Sequence, residues 1–302
     1  WWGQTDDAIR GGTHLEGTVS GPLGDPVASL HVSSNLVSWQ RLDFADVAAA
    51  VRLDDEGLQL DQSRLIVAGG QLTATGDLMW GPQRANIKAA WRNVDAAQLV
   101  SAISDATVTP SGRMSGEATA AGSIGSIEEW NVDARVALGD GLRGRGRVPA
   151  PGEARFRLAD GTWGLEASHV VGDVAPVTVS LTGRLRGSDV KNSAMAGTLQ
   201  VSESDLQAIF QMLSETGLVS GQQDLVSGAI RANADVTGTV ARPVLQLSVE
   251  SGRIAAGGQQ LVDVEARGSL DGSTFQLDEL TAAQAMPSSG DATGQLKASG
   301  KF

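Results

Sequence analysis

The chain has 302 residues, 38 of them glycine, with a net charge of −12, 4% aromatic residues, no tyrosine and no cysteine. The acidic balance argues against a phosphate-backbone partner, so nucleic acid is not expected. Lack of cysteine excludes disulfides, thiolate catalysis and cysteine-ligated metals. Abundant glycine with few aromatics predicts many short strands and tight turns.

Read in order, the chain repeats itself. Three copies each open with glycines ten apart: Gly11 and Gly21, Gly112 and Gly122, Gly228 and Gly238. The starts are 101 and 116 residues apart, too long for one solenoid coil, so each copy is a multi-strand module. In copies one and three a proline follows, Pro26 and Pro243. Alternating runs come next: Leu30 and Val32 around His31, then Val47, Ala49, Val51 and Leu53. Copy two has Val132, Ala134, Val136 and Leu138; copy three has Leu245, Leu247 and Val249, then Val262, Val264 and Ala266. Period-two alternation sends one face of each strand to apolar surroundings. Asp140-Gly141, Asp160-Gly161 and Asp271-Gly272 lie between such runs and predict hairpin turns, hence a long antiparallel meander. Each copy carries a leucine, an acidic glycine turn and large apolar residues (Leu53–Leu60, Leu158–Leu165, Leu270–Leu277), then closes on a strand such as Gly70–Gly76 or Gly294–Gly300. The middle copy keeps only Val179–Leu185 of the closing text.

Two segments break the period. One, near 94–104, places Ala96, Leu99, Val100 and Ile103 on one helical face; the other, near 202–215, does the same with Leu206, Ile209, Phe210 and Leu213. Ser202, three residues before Asp205, reads as the cap of the second. Both helices follow a closing strand and precede a glycine start, and are expected to cover a sheet end. The module boundaries are therefore 1–10 (end of a preceding repeat), 11–110, 111–226 and a truncated 227–302. The sequence begins without methionine and stops inside a strand pattern, so the expectation is a fragment of a longer polypeptide.

No catalytic set emerges, and the expectation is a non-enzyme with no cofactor and no metal. His14, His31 and His169 have no partner at ligand spacing and read as strand or surface residues. Asp54, Asp55 and Glu56 lack the loop pattern of a calcium site and read as a solvated turn. The glycines at 69–70, 122–125 and 257–258 lack the context of a phosphate loop. Gly141–Arg147, with Arg143, Arg145 and Arg147, reads as a strand whose outward arginines guard an edge, or as a contact for phosphates. Trp163, at the place of Phe275, is expected in the core; Trp1, Trp2, Trp39, Trp80 and Trp130 lie near turns and suit an apolar ligand or an interface. The apolar stripe itself is the candidate site: Leu30, Val32, Val47, Val51, Leu53, Val132, Val136, Leu245, Leu247, Val249, Val262 and Val264.

The phrases Asp25-Pro26-Val-Ala-Ser-Leu30, Leu42-Asp-Phe-Ala-Asp46-Val47, Gly69-Gly-Gln-Leu-Thr-Ala-Thr-Gly76, Arg242-Pro243-Val-Leu-Gln-Leu247 and Gln260-Leu-Val-Asp263-Val264 resemble the repeated text of the AsmA and TamB superfamily. The middle copy departs from it, lacking the proline after Gly122. The resemblance implies an elongated, twisted antiparallel sheet rolled into an open trough with an apolar floor. It further implies a periplasmic protein of the bacterial envelope, anchored in the inner membrane by a segment outside this sequence. Phospholipid or other lipid acyl chains would be the partners, in transport between the two membranes, with an outer-membrane assembly protein as a further partner. The alternative is a structural β-solenoid, an adhesin-like stalk or an assembly scaffold without lipid conduction.

Overall fold

The computed structural model describes residues 9–39, 41–104, 106–187, 189–217, 226–272, 274–285 and 292–301. Trp1 and Trp2 lie outside them. The protein is mainly β, antiparallel, with two short α-helices. It divides into two compact units, Trp1–Gly141 with Arg155–Gly161, and Leu142–Ala154 with Thr162–Phe302. This division cuts through the middle repeat and so differs from the module boundaries read from the glycine starts.

The first unit holds β1 (Arg10–Gly11), β2 (His14–Ser20), β3 (Val27–Trp39), β4 (Leu42–Leu53), β5 (Gly57–Val67), β6 (Gly70–Met79), β7 (Arg84–Asp95), α1 (Ala96–Ile103), β8 (Thr109–Ser111), β9 (Arg113–Ser123) and β10 (Ser126–Leu138). Strands β2 through β7 pair in chain order, β9 pairs with β7, and β10 pairs with β9. Strand β11 (Arg147–Pro149) belongs to the second unit, and β12 (Gly152–Ala159) spans the boundary. The second unit continues with β13 (Thr162–Val171), β14 (Ala175–Arg184), β15 (Ala194–Asp205), α2 (Leu206–Glu215), β16 (Val226–Thr239), β17 (Arg242–Ala256), β18 (Gln259–Asp271), β19 (Thr274–Ala285) and β20 (Ala292–Lys301). Here β13 to β20 also pair in chain order. No helix among the described residues is long and apolar enough to cross a membrane.

Copies one and three share a single register. Gly11 faces Val37 and Gly228 faces Ile254, a constant offset of 217 residues. The same offset maps His14↔Ser33 onto Arg231↔Glu250, Ser34↔Val47 onto Ser251↔Val264, and Leu53↔Leu58 onto Leu270↔Phe275. Backbone geometry agrees: φ is +141° at Gly11 and +139° at Gly228, and +97° at Gly21 and +99° at Gly238. At all four a Cβ would run into a carbonyl of the paired strand or turn, which is why the text demands glycine there. Gly112 belongs with the starts at +132°. Gly122 does not: its φ is not positive, and a Cβ there would meet the Trp130 ring at 2.5 Å. The ten-residue glycine pair in the middle copy is thus a coincidence of spacing.

The helices begin later than the amphipathic pattern suggests. Each is capped by the aspartate that ends the preceding strand. Asp95 Oδ1 accepts from Gln98 N at 2.9 Å, and Asp205 Oδ1 accepts from Gln207 N at 2.8 Å and Ala208 N at 3.4 Å. Ser202 is not the cap; it sits within β15, because a carboxylate closer to the first turn satisfies the free amides.

Two further expectations are corrected. Asp140-Gly141 is not a hairpin turn, and residues 141–146 form no strand beyond an isolated bridge from Gly144 to Arg147. Instead of guarding an edge, Arg143 is drawn inward. Its guanidinium donates to Gly172 O and pairs with Glu215 at 3.4 Å and Asp173 at 3.7 Å. Those groups lie in the β13–β14 turn and at the end of α2. A five-donor planar cation suits such a three-way clasp.

Candidate functional site

Register turns the alternating residues into one apolar face per unit. In the first unit a row runs Leu30↔Val51↔Leu60↔Gly76↔Ile87↔Ala120↔Val132, from β3 to β10. A parallel row runs Val32↔Ala49↔Ser63↔Ala74↔Ala89↔Ala118↔Ala134. A third includes Ser34↔Val47 on one side and Leu72↔Trp91↔Gly116↔Val136 on the other; Leu53, paired with Ala28 and Leu58, lies at the far end. All seven candidates from this unit therefore lie on one face.

In the second unit the face is equally continuous. One row reads Ala167↔Val179↔Leu199↔Ala234↔Leu247↔Gly268↔Leu277. Its neighbours contain Leu245↔Leu270↔Phe275 and Val249↔Ala266↔Leu280, with Val264 opposite Ser251. Val262 is the exception. Asp263 takes φ +51°, and between Val262 and Glu265 the strand has two residues against one on β19. This bulge separates Val262 from Val264, so alternation does not carry one onto the face of the other. Asp46 (φ +48°) makes the matching bulge in β4.

A pair of serines that sequence reading passed over ties β3 and β17 to the segment paired on their other side. Ser34 Oγ donates to Gly12 O at 2.5 Å and Ser251 Oγ to Ala229 O at 2.6 Å. Both are buried, at the same offset of 217 residues. Their recurrence at that spacing was the available signal.

Exposure distinguishes this face from a closed core. Inward residues of a sandwich are fully buried by the opposing sheet. Here Leu30, Val32, Val47, Val51, Val132, Val136, Leu247 and Val249 are only half-buried. Ile87 sits in the middle of its row between Gly76 and Ala120, yet is 42% exposed. Full burial is reached at one end, where Leu42, Val67, Ala68 and Val94 form a cluster with Trp91, Leu99 and Met114 packed around it. Leu99 belongs to α1, so that helix covers a sheet end as the pattern implies. Met212 of α2 is buried similarly, against Gly172.

Aromatic rings fill the glycine gaps of the face. Trp163 is buried, as expected, and a Cβ on its cross-strand partner Gly183 would strike the indole. Trp91 covers Gly116, where a Cβ would lie 2.6 Å from the ring. Trp39 and Trp80 remain exposed at turns, and Trp130 donates its Nε1–H to Ser123 O at 2.7 Å.

The opposite face is polar. A concavity of about 570 Å³ in the first unit is bordered by Gln62, Thr75, Lys88, Glu117, Asp133 and Arg135. One of about 870 Å³ in the second is bordered by Glu203, Arg231, Glu250, Arg253, Asp263 and Glu265. Arg155 pairs with Asp133 at 2.6 Å and Arg157 joins it at 3.3 Å. The Arg155 hydrogen bond, with Arg157 adding to it, holds the Asp133 carboxyl below the usual aspartate range. Among the described residues no cluster of three His, Asp or Glu side chains has the geometry of a metal site. The Asp54–Glu56 carboxylates form a turn in which Asp54 accepts from the Glu56 and Gly57 amides at 3.2 and 3.0 Å. His169 Nδ1 lies 2.8 Å from Ala150 O, a structural contact.

Comparison with models of known families, with curated proteins and with solved structures found no match in any of the three.

Proposed function

We propose that the protein is a non-enzymatic carrier that binds lipid acyl chains along its apolar sheet face. The observation that supports this best is the continuity of that face: seven strands in each unit present matched apolar rows, many of whose large members stay half-exposed. A sheet with one apolar face must cover it with another layer or with a ligand.

In this reading the face is the floor of an open groove. An acyl chain resting on it buries roughly half its surface. At about 0.8 kcal/mol per fully buried methylene, a chain of roughly sixteen carbons then gains about 6 kcal/mol. That corresponds to a Kd on the order of tens of micromolar. Binding of this strength is reversible, and equivalent rows let a chain shift sideways with little net change. On the resemblance to AsmA and TamB proteins, we infer a carrier of the bacterial periplasm that moves phospholipid between membranes or serves outer-membrane assembly.

The test is native mass spectrometry of the protein incubated with phosphatidylethanolamine–phosphatidylglycerol vesicles. Retained phospholipid is expected for the wild type and its loss for Ile87→Asp combined with Leu247→Asp. No retained lipid, or retention unaffected by both charges, would overturn the reading.

A further inference from the structure

The basic run ending at Arg147 is a motif that the carrier reading leaves unused. In a chain of net charge −12 it gathers Arg143, Arg145 and Arg147. From Leu142 onward it lies within the second unit, where its backbone is held firmly. Gly144 N donates to Arg147 O at 3.2 Å and Arg147 N to Gly144 O at 2.8 Å. Between them Gly146, at φ +70°, lets the chain turn and donates its amide to Thr216 O at 3.0 Å. Past the turn Val148 and Pro149 are buried, and Pro149 O accepts from Gly172 N at 2.7 Å.

The three arginines then divide. Arg143 engages two carboxylates, Asp173 and Glu215, together with Gly172 O. Arg145 and Arg147 are exposed, and neither has a carboxylate partner among the described residues. Leu142, at the start of the same turn, is 85% exposed and so contributes little to packing.

We propose that this braced turn docks the protein on an anionic lipid surface. Arg145 and Arg147 meet headgroup phosphates, to which a planar guanidinium donates two parallel hydrogen bonds. Leu142 enters the acyl boundary beneath them. That leucine favours a membrane over a free phosphate or a nucleic acid, because only a membrane has an apolar layer under its phosphates. The acidic balance of the whole chain does not forbid the contact. At physiological ionic strength the Debye length is about 8 Å, so distant carboxylates are screened and local charge decides. Two arginines and one leucine make a weak contact, which suits reversible docking. The inference needs no apolar groove and stands apart from the carrier reading.

The test is co-flotation of the whole chain with vesicles in millimolar lipid at physiological salt. Binding is expected to phosphatidylglycerol–phosphatidylcholine vesicles and not to phosphatidylcholine alone. Arg145→Gln and Arg147→Gln should each weaken it about fivefold. Leu142→Ser should also weaken it, and salt of about 1 M should abolish it by shortening the Debye length to about 3 Å. These positions are exposed, so unchanged circular dichroism and Tm confirm that the variants fold. Arg143→Gln should instead lower Tm, because it opens the clasp. Equal flotation on both vesicle types, or indifference to both arginines, would overturn the proposal. Loss with the arginine variants but not with Leu142→Ser, together with competition by inorganic phosphate or duplex DNA, would also overturn it and leave a contact by charge alone.

Discussion

Single residues fix the local geometry. Removing either cap, by Asp95→Ala or Asp205→Ala, is expected to cost about 1 kcal/mol, read as a shift of the urea unfolding midpoint. Ser202→Ala, which removes no cap, is expected to change nothing. At the glycine gaps, Gly183→Val would drive a branched side chain into the Trp163 indole. Destabilisation of about 1–3 kcal/mol is expected, and Trp163→Ala should lose about 3–5 kcal/mol by leaving a void. Asp133 carries a pH signature. Its carboxyl is held low by Arg155 and then Arg157, so the ionised form is favoured in the folded state. The resulting stability is present above the ordinary aspartate range and is lost as pH falls through the lowered value. A small Tm difference between wild type and Asp133→Asn is expected at pH 7, closing on acidification below about pH 3.9. A difference that persists or grows in acid would contradict the pairing.

At the scale of elements, strands and helices were legible because their periods differ. Val47, Ala49, Val51 and Leu53 alternate without interruption and share a face, and Leu72, Ala74 and Gly76 of the closing strand do the same. Irregularities were not legible. Asp263 stands in a run that reads as uniform alternation, and only its left-handed backbone shows that Val262 and Val264 are separated. The cap of the second helix was misread by three residues, at Ser202 instead of Asp205, since an amphipathic pattern does not say which of two polar residues caps it. The arginine run was misread because its partners, Glu215 and Asp173, are distant in sequence. At the bulge, Asp263→Gly is expected to be tolerated. Asp263→Val should cost about 1–2 kcal/mol for forcing a branched residue into the left-handed region, measurable by denaturant unfolding.

At the scale of the whole molecule, what repeats is a surface. Eleven of the twelve positions named from alternation fall on an apolar face of their unit, and Val262 does not follow from the pattern. The rows that join them, including Ile87 and the alanines at 89 and 118, were hidden. Hairpin register is set by bulges and turn lengths rather than by composition. The most direct measurement is site-resolved photocrosslinking to lipid, with the probe placed in turn at Leu30, Val51 and Leu247 and at the neighbouring His31 and Ser248. The carrier reading expects lipid adducts at the first three and none at the last two. Equal labelling of both faces, or none at Leu30, Val51 and Leu247, would contradict it.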